Sequence, residues 1–229
     1  MDDTKPTAPQ IKVCGLTVPE EAAACAALGA DAVGLVFFPP SPRHVTLAQA
    51  ARITALLPER VRAAGVFVDP DRGFLAEAIR AGRLRVVQLH GQEPPELAAW
   101  IQDRYAVTVL KALFMTKKPA LTAAVDYPVP AFLVECGQGP LPGGNALQWD
   151  WGAAADFARR HPTVLAGGLD ADNVAQAIAA AMPQAVDASS GLEAAPGRKD
   201  LKKVERFVAA VRGTAALYRE RARKLNPVF

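Results

Sequence analysis

Apolar runs rich in β-branched residues alternate with alanine-rich amphipathic runs along the whole chain. Short apolar runs without a polar alternation read as parallel strands buried on both faces. Strands are predicted at Ile11–Cys14, Ala32–Phe37, Arg62–Val68, Arg85–Leu89, Val107–Ala112, Ala131–Glu135, Thr163–Ala166 and Ala185–Ala188. Helices are predicted at Val18–Leu28, Leu47–Leu57, Asp71–Ala81, Pro94–Arg104, Asp150–Arg160, Ala171–Ala181 and Lys199–Arg223, with a weaker helical stretch near Pro119–Val125. Gly29 and Gly82 stand where the first and third helices should stop, and Thr46 stands where the second should be capped.

Eight strand–helix units with no linker between them predict an α/β fold, a single (β/α)₈ barrel with a parallel eight-stranded core. Residues 10–229 form that one domain, behind a flexible leader of residues 1–9 that is acidic, polar and proline-containing. An open doubly wound sheet is the rival. No G-x-G-x-x-G follows the first strand, and eight regularly spaced units suit closure better.

Composition narrows the class. The 229 residues are 51% hydrophobic and 21% charged, with a net charge of +3. The basic residues form no block until Arg219, Arg221, Arg223 and Lys224, which read as a solvated helix end favoured by the helix dipole, so nucleic acid is not an expected partner. No apolar run is long enough for a membrane span, and residues 1–9 lack the basic start and apolar run of a signal peptide. Three widely spaced cysteines, with no C-x-x-C pair, argue against a disulfide framework or a structural zinc site. A reducing, cytoplasmic setting is expected.

In such barrels the chemistry stands at the C-terminal strand ends. There the sequence places Cys14, Arg43 and His44, Asp69, His90, Lys111, Glu135, Gly167-Gly168, and Asp187 followed by Ser189-Ser190-Gly191. Small residues after the seventh and eighth strands let backbone N–H groups converge on an anion, and phosphate is the expected one. A cysteine on an apolar strand is usually a small hydrophobe, and Cys25 is read that way. Cys14 ends its strand beside a glycine turn, where nearby cations could lower the thiol and make it a proton acceptor. Glu135 ends a buried strand, a costly place for an unused acid. Arg43, framed by Pro39, Pro40 and Pro42, is a stiff fork suited to a carboxylate. Asp69 reads most simply as a helix cap, and His90 and Asp187 could merely satisfy buried backbone groups.

From Ile11 to the final helix the chain resembles the phosphoribosylanthranilate isomerase family of tryptophan biosynthesis. The resemblance is carried by Lys12-Val13-Cys14-Gly15-Leu16-Thr17, Gly29–Phe37, Ser41-Pro42-Arg43-His44-Val45, Gly65–Asp69, Val87-Gln88-Leu89-His90-Gly91, Leu165–Leu169 and Asp187–Glu193, with Pro196-Gly197 and Lys199-Asp200 behind. It implies an Amadori rearrangement of a phosphorylated small molecule without cofactor or metal, and it leaves open an association with neighbouring tryptophan-pathway enzymes. It implies Cys14 as the base, a carboxyl at the end of the sixth strand as the acid, Arg43 on the anthranilate carboxylate, Gly168, Ser190 and Gly191 on the phosphate, and His90 and Asp187 lining the pocket.

Two departures fall on one loop. The family's acid is an aspartate, and here Glu135 is one methylene longer. The following loop, Cys136–Gln148, ends in Gly143-Gly144-Asn145-Ala146-Leu147, where the family has a further glycine. If that position needs φ > 0, alanine strains the turn. Three readings remain: the isomerase itself, an isomerase retuned for a related phosphoribosyl amine, and a phosphate-ligand-binding barrel that has lost most catalysis.

Overall fold

The computed structural model describes residues 7–138, 148–220 and 225–229. Eight parallel strands close into a barrel: β1 (Gln10–Cys14), β2 (Ala32–Val36), β3 (Arg62–Phe67), β4 (Val86–Leu89), β5 (Thr108–Phe114), β6 (Ala131–Glu135), β7 (Thr163–Leu165) and β8 (Ala185–Ala188). β1 makes the closure, pairing with β2 on one side and β8 on the other; Lys12 lies opposite Ala32 and also opposite Asp187. An open doubly wound sheet has two free edges. With β1 paired to β8, that alternative is excluded.

The strand period of two sorts the side chains. Ile11, Val13, Val33, Leu35, Val87 and Leu89 belong to an outer apolar layer shared with helix residues such as Ala22, Cys25 and Ile53. Val86, Leu110, Ala112, Leu133, Val164 and Ala185 belong to a separate inner cluster that fills the barrel. Lys12, Cys14, Gln88, His90, Glu135 and Asp187 share the inner parity of their strands. The N-terminal end of the barrel is closed by the chain's last residues: Val228 joins the inner cluster, and the Val228 and Phe229 N–H groups donate to Gln10 Oε1. Ala8 and Pro9, within the expected leader, are buried.

Around the barrel lie α1 (Pro19–Ala27), α2 (Leu47–Ala55), α3 (Arg72–Ala81), α4 (Pro95–Arg104), α5 (Ala155–Arg160), α6 (Val174–Ala181), α7 (Leu201–Gly213) and α8 (Ala215–Glu220). The α2 cap is as expected: Thr46 Oγ1 accepts from Gln49 N–H, and Gln49 Oε1 accepts from Thr46 N–H. The fifth crossover carries a 3₁₀ turn, Leu121–Asp126, in place of an α-helix.

The last helix differs from the predicted Lys199–Arg223. Lys199 belongs to a small hairpin, β9 (Glu193–Ala195) with β10 (Arg198–Lys199), and α7 begins only after Asp200, whose carboxylate accepts from Lys202 and Lys203 N–H. Past Gly213 the Thr214 N–H and hydroxyl both turn back to the Val211 carbonyl, at 3.0 and 2.7 Å, which separates α7 from α8. Arg221, Arg223 and Lys224 lie outside the described residues. Among the described residues no helix is long and apolar enough to cross a membrane.

Candidate active site

Cys14 is the last residue of β1, facing inward, and is 8% exposed. Its register partner on β2 is Gly34. A Cβ on Gly34 would lie 2.6 Å from the Cys14 sulfur, so the missing side chain is the space the thiol occupies. Two residues below, Lys12 is fully buried, and its Nζ donates to Asp187 Oδ2 at 2.8 Å. Burial alone would pull Lys12 down. Asp187, by its charge and its hydrogen bond, is the main cause that opposes this, and the lysine is held above its ordinary value, as a cation.

The same cations do not win at the thiol. Burial pushes Cys14 above its ordinary value despite Lys12 and Lys199. The sequence-based expectation of a lowered thiol is therefore corrected: the neighbouring cations are present, but desolvation outweighs them. The thiol holds its proton at rest, and Lys12 is the nearest compensation for a thiolate.

Across the barrel, Glu135 closes β6 at 7% exposure. His90, just past β4, places Nε2 3.4 Å from Glu135 Oε1, and its Nδ1 is 2.9 Å from Gln88 Nε2. The ring stands edge-on to Phe114, the residue of β5 in register with Glu135. After the sixth loop, Trp149 and Trp151 donate their indole N–H groups to the Ala166 and Gly167 carbonyls, tying this side to the seventh loop. The expectation of a strained turn at Asn145-Ala146 lies outside the described residues.

Arg43 is buried, but its fork already has a partner. Nε and Nη2 donate to Glu193 Oε1 and Oε2, at 2.8 and 2.7 Å. Lys199 Nζ also donates to Glu193 Oε1 at 2.8 Å, and to the Ser189 carbonyl. Burial would raise the Glu193 carboxyl; Arg43 and Lys199 more than offset this and hold it below its usual value. Glu193 thus fixes the guanidinium plane and leaves its remaining edge for another acceptor.

The loops after β7 and β8 meet at a close approach. A Cβ on Gly191 would lie only 2.2 Å from the Leu169 carbonyl oxygen, so glycine is required for the two backbones to touch. Gly168 adopts φ +67°, and its carbonyl accepts from Asn173 Nδ2 at 2.8 Å. Ser189 Oγ donates to the Cys14 carbonyl at 3.0 Å and joins this loop to β1. Ser190 opens a 3₁₀ turn beside Gly191. Gly168, Ser190 and Gly191 are therefore brought together, and the loop that carries the last two is pinned to the cysteine strand.

Two other residues have different roles from those read in the sequence. Asp69 is not the α3 cap; Asp71 is, accepting from Phe74 N–H, while Asp69 accepts from Gln92 N–H in the next loop. Lys111 lies in mid-strand because β5 runs on to Phe114, and its ammonium donates to Glu93 Oε2 and the Gly91 carbonyl. Lys12, Gln88, Glu193 and Lys199 are site residues that the strand-tip pattern does not single out. For Lys12 and Gln88 a signal existed: each is a polar residue between apolar neighbours in a strand, two positions from a site residue and so on the same face.

A thiol and a carboxyl on inward strand tips of a closed barrel, with paired small-residue loops after β7 and β8, is a layout suited to a barrel enzyme that moves protons. The family model described as N-(5'phosphoribosyl)anthranilate (PRA) isomerase matches residues 11–210. The chain belongs to that family. Among curated relatives, the N-(5'-phosphoribosyl)anthranilate isomerase of Desulfatibacillum aliphaticivorans is 47% identical over 93% of this chain and 97% of its own length. That of Acidithiobacillus ferrooxidans is 44% identical over 90% and 98%. The crystal structure of phosphoribosyl anthranilate isomerase from Thermotoga maritima superimposes with a TM-score of 0.82 at 35% identity, covering 90% of this chain and 99% of that one. A phosphoribosyl anthranilate isomerase in complex with reduced 1-(o-carboxyphenylamino)-1-deoxyribulose 5-phosphate matches with a TM-score of 0.79, also at 35% identity, over 90% and 99%.

Proposed function

We propose that this chain converts N-(5'-phosphoribosyl)anthranilate to 1-(2-carboxyphenylamino)-1-deoxyribulose 5-phosphate in tryptophan biosynthesis, by general acid–base catalysis. The observation that carries the reading is the placement of Cys14 and Glu135 on inward positions at the C-terminal ends of β1 and β6, in a chain of this family. Glu135 gives a proton to the furanose ring oxygen as the C1–O bond breaks, leaving a Schiff base at C1. In the ionised fraction, with Lys12 compensating the charge, the Cys14 thiolate takes the C2 proton. The C–H electrons form the C1–C2 double bond, and the Schiff-base electrons return to nitrogen. The resulting enolamine is protonated at C1 as the C2 hydroxyl becomes the ketone. Arg43 meets the anthranilate carboxylate with the edge that Glu193 leaves free. Gly168, Ser190 and Gly191 receive the phosphate, and His90 and Asp187 line the pocket. The buried free thiols of Cys14, Cys25 and Cys136 support a reducing, cytoplasmic location.

The test is turnover of phosphoribosylanthranilate by the wild type, Cys14→Ser and Glu135→Gln. Turnover in the wild type that both variants lose supports the reading. No wild-type turnover, with a product analogue still bound, supports a binding barrel in its place.

A further inference from the structure

We propose that His90 is a positioning residue for Glu135: its Nε2–H, aimed by Gln88, closes onto the Glu135 carboxylate as that group gives up its proton. The inference rests on the reading of Glu135 as the acid and adds what holds the acid in place.

Gln88 is 1% exposed, and its amide nitrogen, which can only donate, lies 2.9 Å from His90 Nδ1. Nδ1 is then the acceptor, and a neutral ring carries its proton on Nε2. Phe114 meets the ring edge-on at 5.5 Å and limits its rotation. Nε2 is 3.4 Å from Glu135 Oε1, beyond the 2.7–3.2 Å of a good N–H···O bond, and among the described residues Nε2 is buried with no hydrogen-bond partner. An aimed donor stopping just short of a carboxyl gains most when that carboxyl becomes an anion, because charge-assisted bonds are shorter and stronger. The contact therefore tightens along the reaction, and only interactions that strengthen toward the transition state speed the chemical step. The length of the glutamate arm matters for the same reason: an aspartate at this position would draw the carboxyl back from the ring.

The experiment combines steady-state kinetics on phosphoribosylanthranilate with ¹⁵N NMR of the imidazole. His90→Leu lowers kcat about 10- to 100-fold, the scale of one catalytic donor, while KM stays within about threefold. His90→Gln, which keeps an N–H at this reach, recovers most of the loss. In a Glu135→Asp background His90→Leu has little further effect. The wild-type spectrum shows a protonated Nε2 and a bare Nδ1. A protonated Nδ1 overturns the proposal, as does His90→Leu with unchanged kcat and raised KM. The NMR arm needs no turnover, so an inactive wild type would sink the isomerase reading, whereas a protonated Nδ1 in an active enzyme sinks this one alone.

Discussion

Lys12 and Asp187 face each other across the seam that closes the barrel, with Nζ 2.8 Å from Oδ2 and both residues in direct register between β1 and β8. The lysine is 0% exposed. An ammonium in that position survives only because it is paired. The same pair lies two residues beneath the Cys14 thiol on the same strand face. Closure of the fold and provision of charge beside the proposed base are one arrangement. Among the described residues Asp187 Oδ1 is buried without a hydrogen-bond partner, an acceptor that faces the barrel interior.

The thiol is the first quantity this pair should control. With Cys14 pushed above its ordinary 9.0 by burial, alkylation of Cys14 by iodoacetamide is slow at neutral pH and climbs only beyond pH 9. Lys12→Met combined with Asp187→Asn leaves no lone buried charge. Of the two charges, Lys12 influences the thiol more than Asp187 does, so their joint removal disfavours the thiolate. The alkylation profile, read by mass spectrometry on the Cys14 peptide, moves to higher pH. A profile that stays in place would show that Lys12 does not support the base.

Local patterning carried the barrel and most strand tips into view, because both are short-range properties. A period of two, apolar runs and glycine stops fix where each strand ends, and hence that Cys14, Glu135 and Asp187 stand at one face. The pairings were not legible in the same way. Arg43 finds Glu193 150 residues away, and Lys12 finds Asp187 175 residues away. Nothing local in Ser-Pro-Arg-His marks the arginine's fork as already engaged. The thiol's titration depends on burial against charge, a balance of three-dimensional surroundings that a strand pattern does not contain. The break at Thr214 was hidden because Gly213 and Thr214 sit inside an otherwise continuous helical pattern, and a side-chain bond back to Val211 decides the outcome.

Glu135 is expected to tolerate shortening far better than loss of its proton. Glu135→Gln removes the acid while keeping the size, and kcat falls about 10²- to 10⁴-fold, the usual contribution of a positioned proton donor. Glu135→Asp keeps the proton but draws it away from the substrate oxygen, and retains intermediate activity. The two kcat values, measured with binding of a product analogue, check the order. Full activity in Glu135→Gln would remove Glu135 from the acid role.

Glu193 should matter for stability as well as for the orientation of Arg43. Replacing it with glutamine leaves Arg43 and Lys199 as buried cations without their shared anion. Breaking a buried pair in this way costs about 3 kcal/mol, which for a chain of this size lowers Tm by roughly 6–12 °C. The pH dependence has a definite sign. The Glu193 carboxyl is held below its ordinary 4.5, so its stabilisation is present above pH 4.5 and is lost as pH falls through the lower folded value. The Tm difference between wild type and Glu193→Gln, followed by thermal denaturation from pH 7 to pH 3, is expected to shrink below pH 4.5. A constant difference would mean that the carboxylate charge is not what holds the cluster together.

Gly34→Ala is the smallest change that should separate the proposed base, Cys14, from the fold. The added methyl would lie 2.6 Å from the Cys14 sulfur, 3.0 Å from its Cα and 3.1 Å from its Cβ. Real atoms do not sit that close, so Cys14 or its strand must move. β1 and β2 are held by ladder bonds through this pair of positions, and the Gly15 and Leu16 N–H groups both donate to the Gly34 carbonyl. The side chain is the more mobile of the two, and the sulfur is displaced toward the barrel mouth. Overpacking of this kind costs about 1–3 kcal/mol, which leaves the barrel folded. A displacement near 1 Å at the proton acceptor, by contrast, lowers the rate about 10²-fold. Circular dichroism melts and kcat on the same preparation check both halves: a modest fall in Tm with a large fall in kcat is expected. Unchanged kcat with a lowered Tm would mean that the sulfur's position is not what the glycine secures.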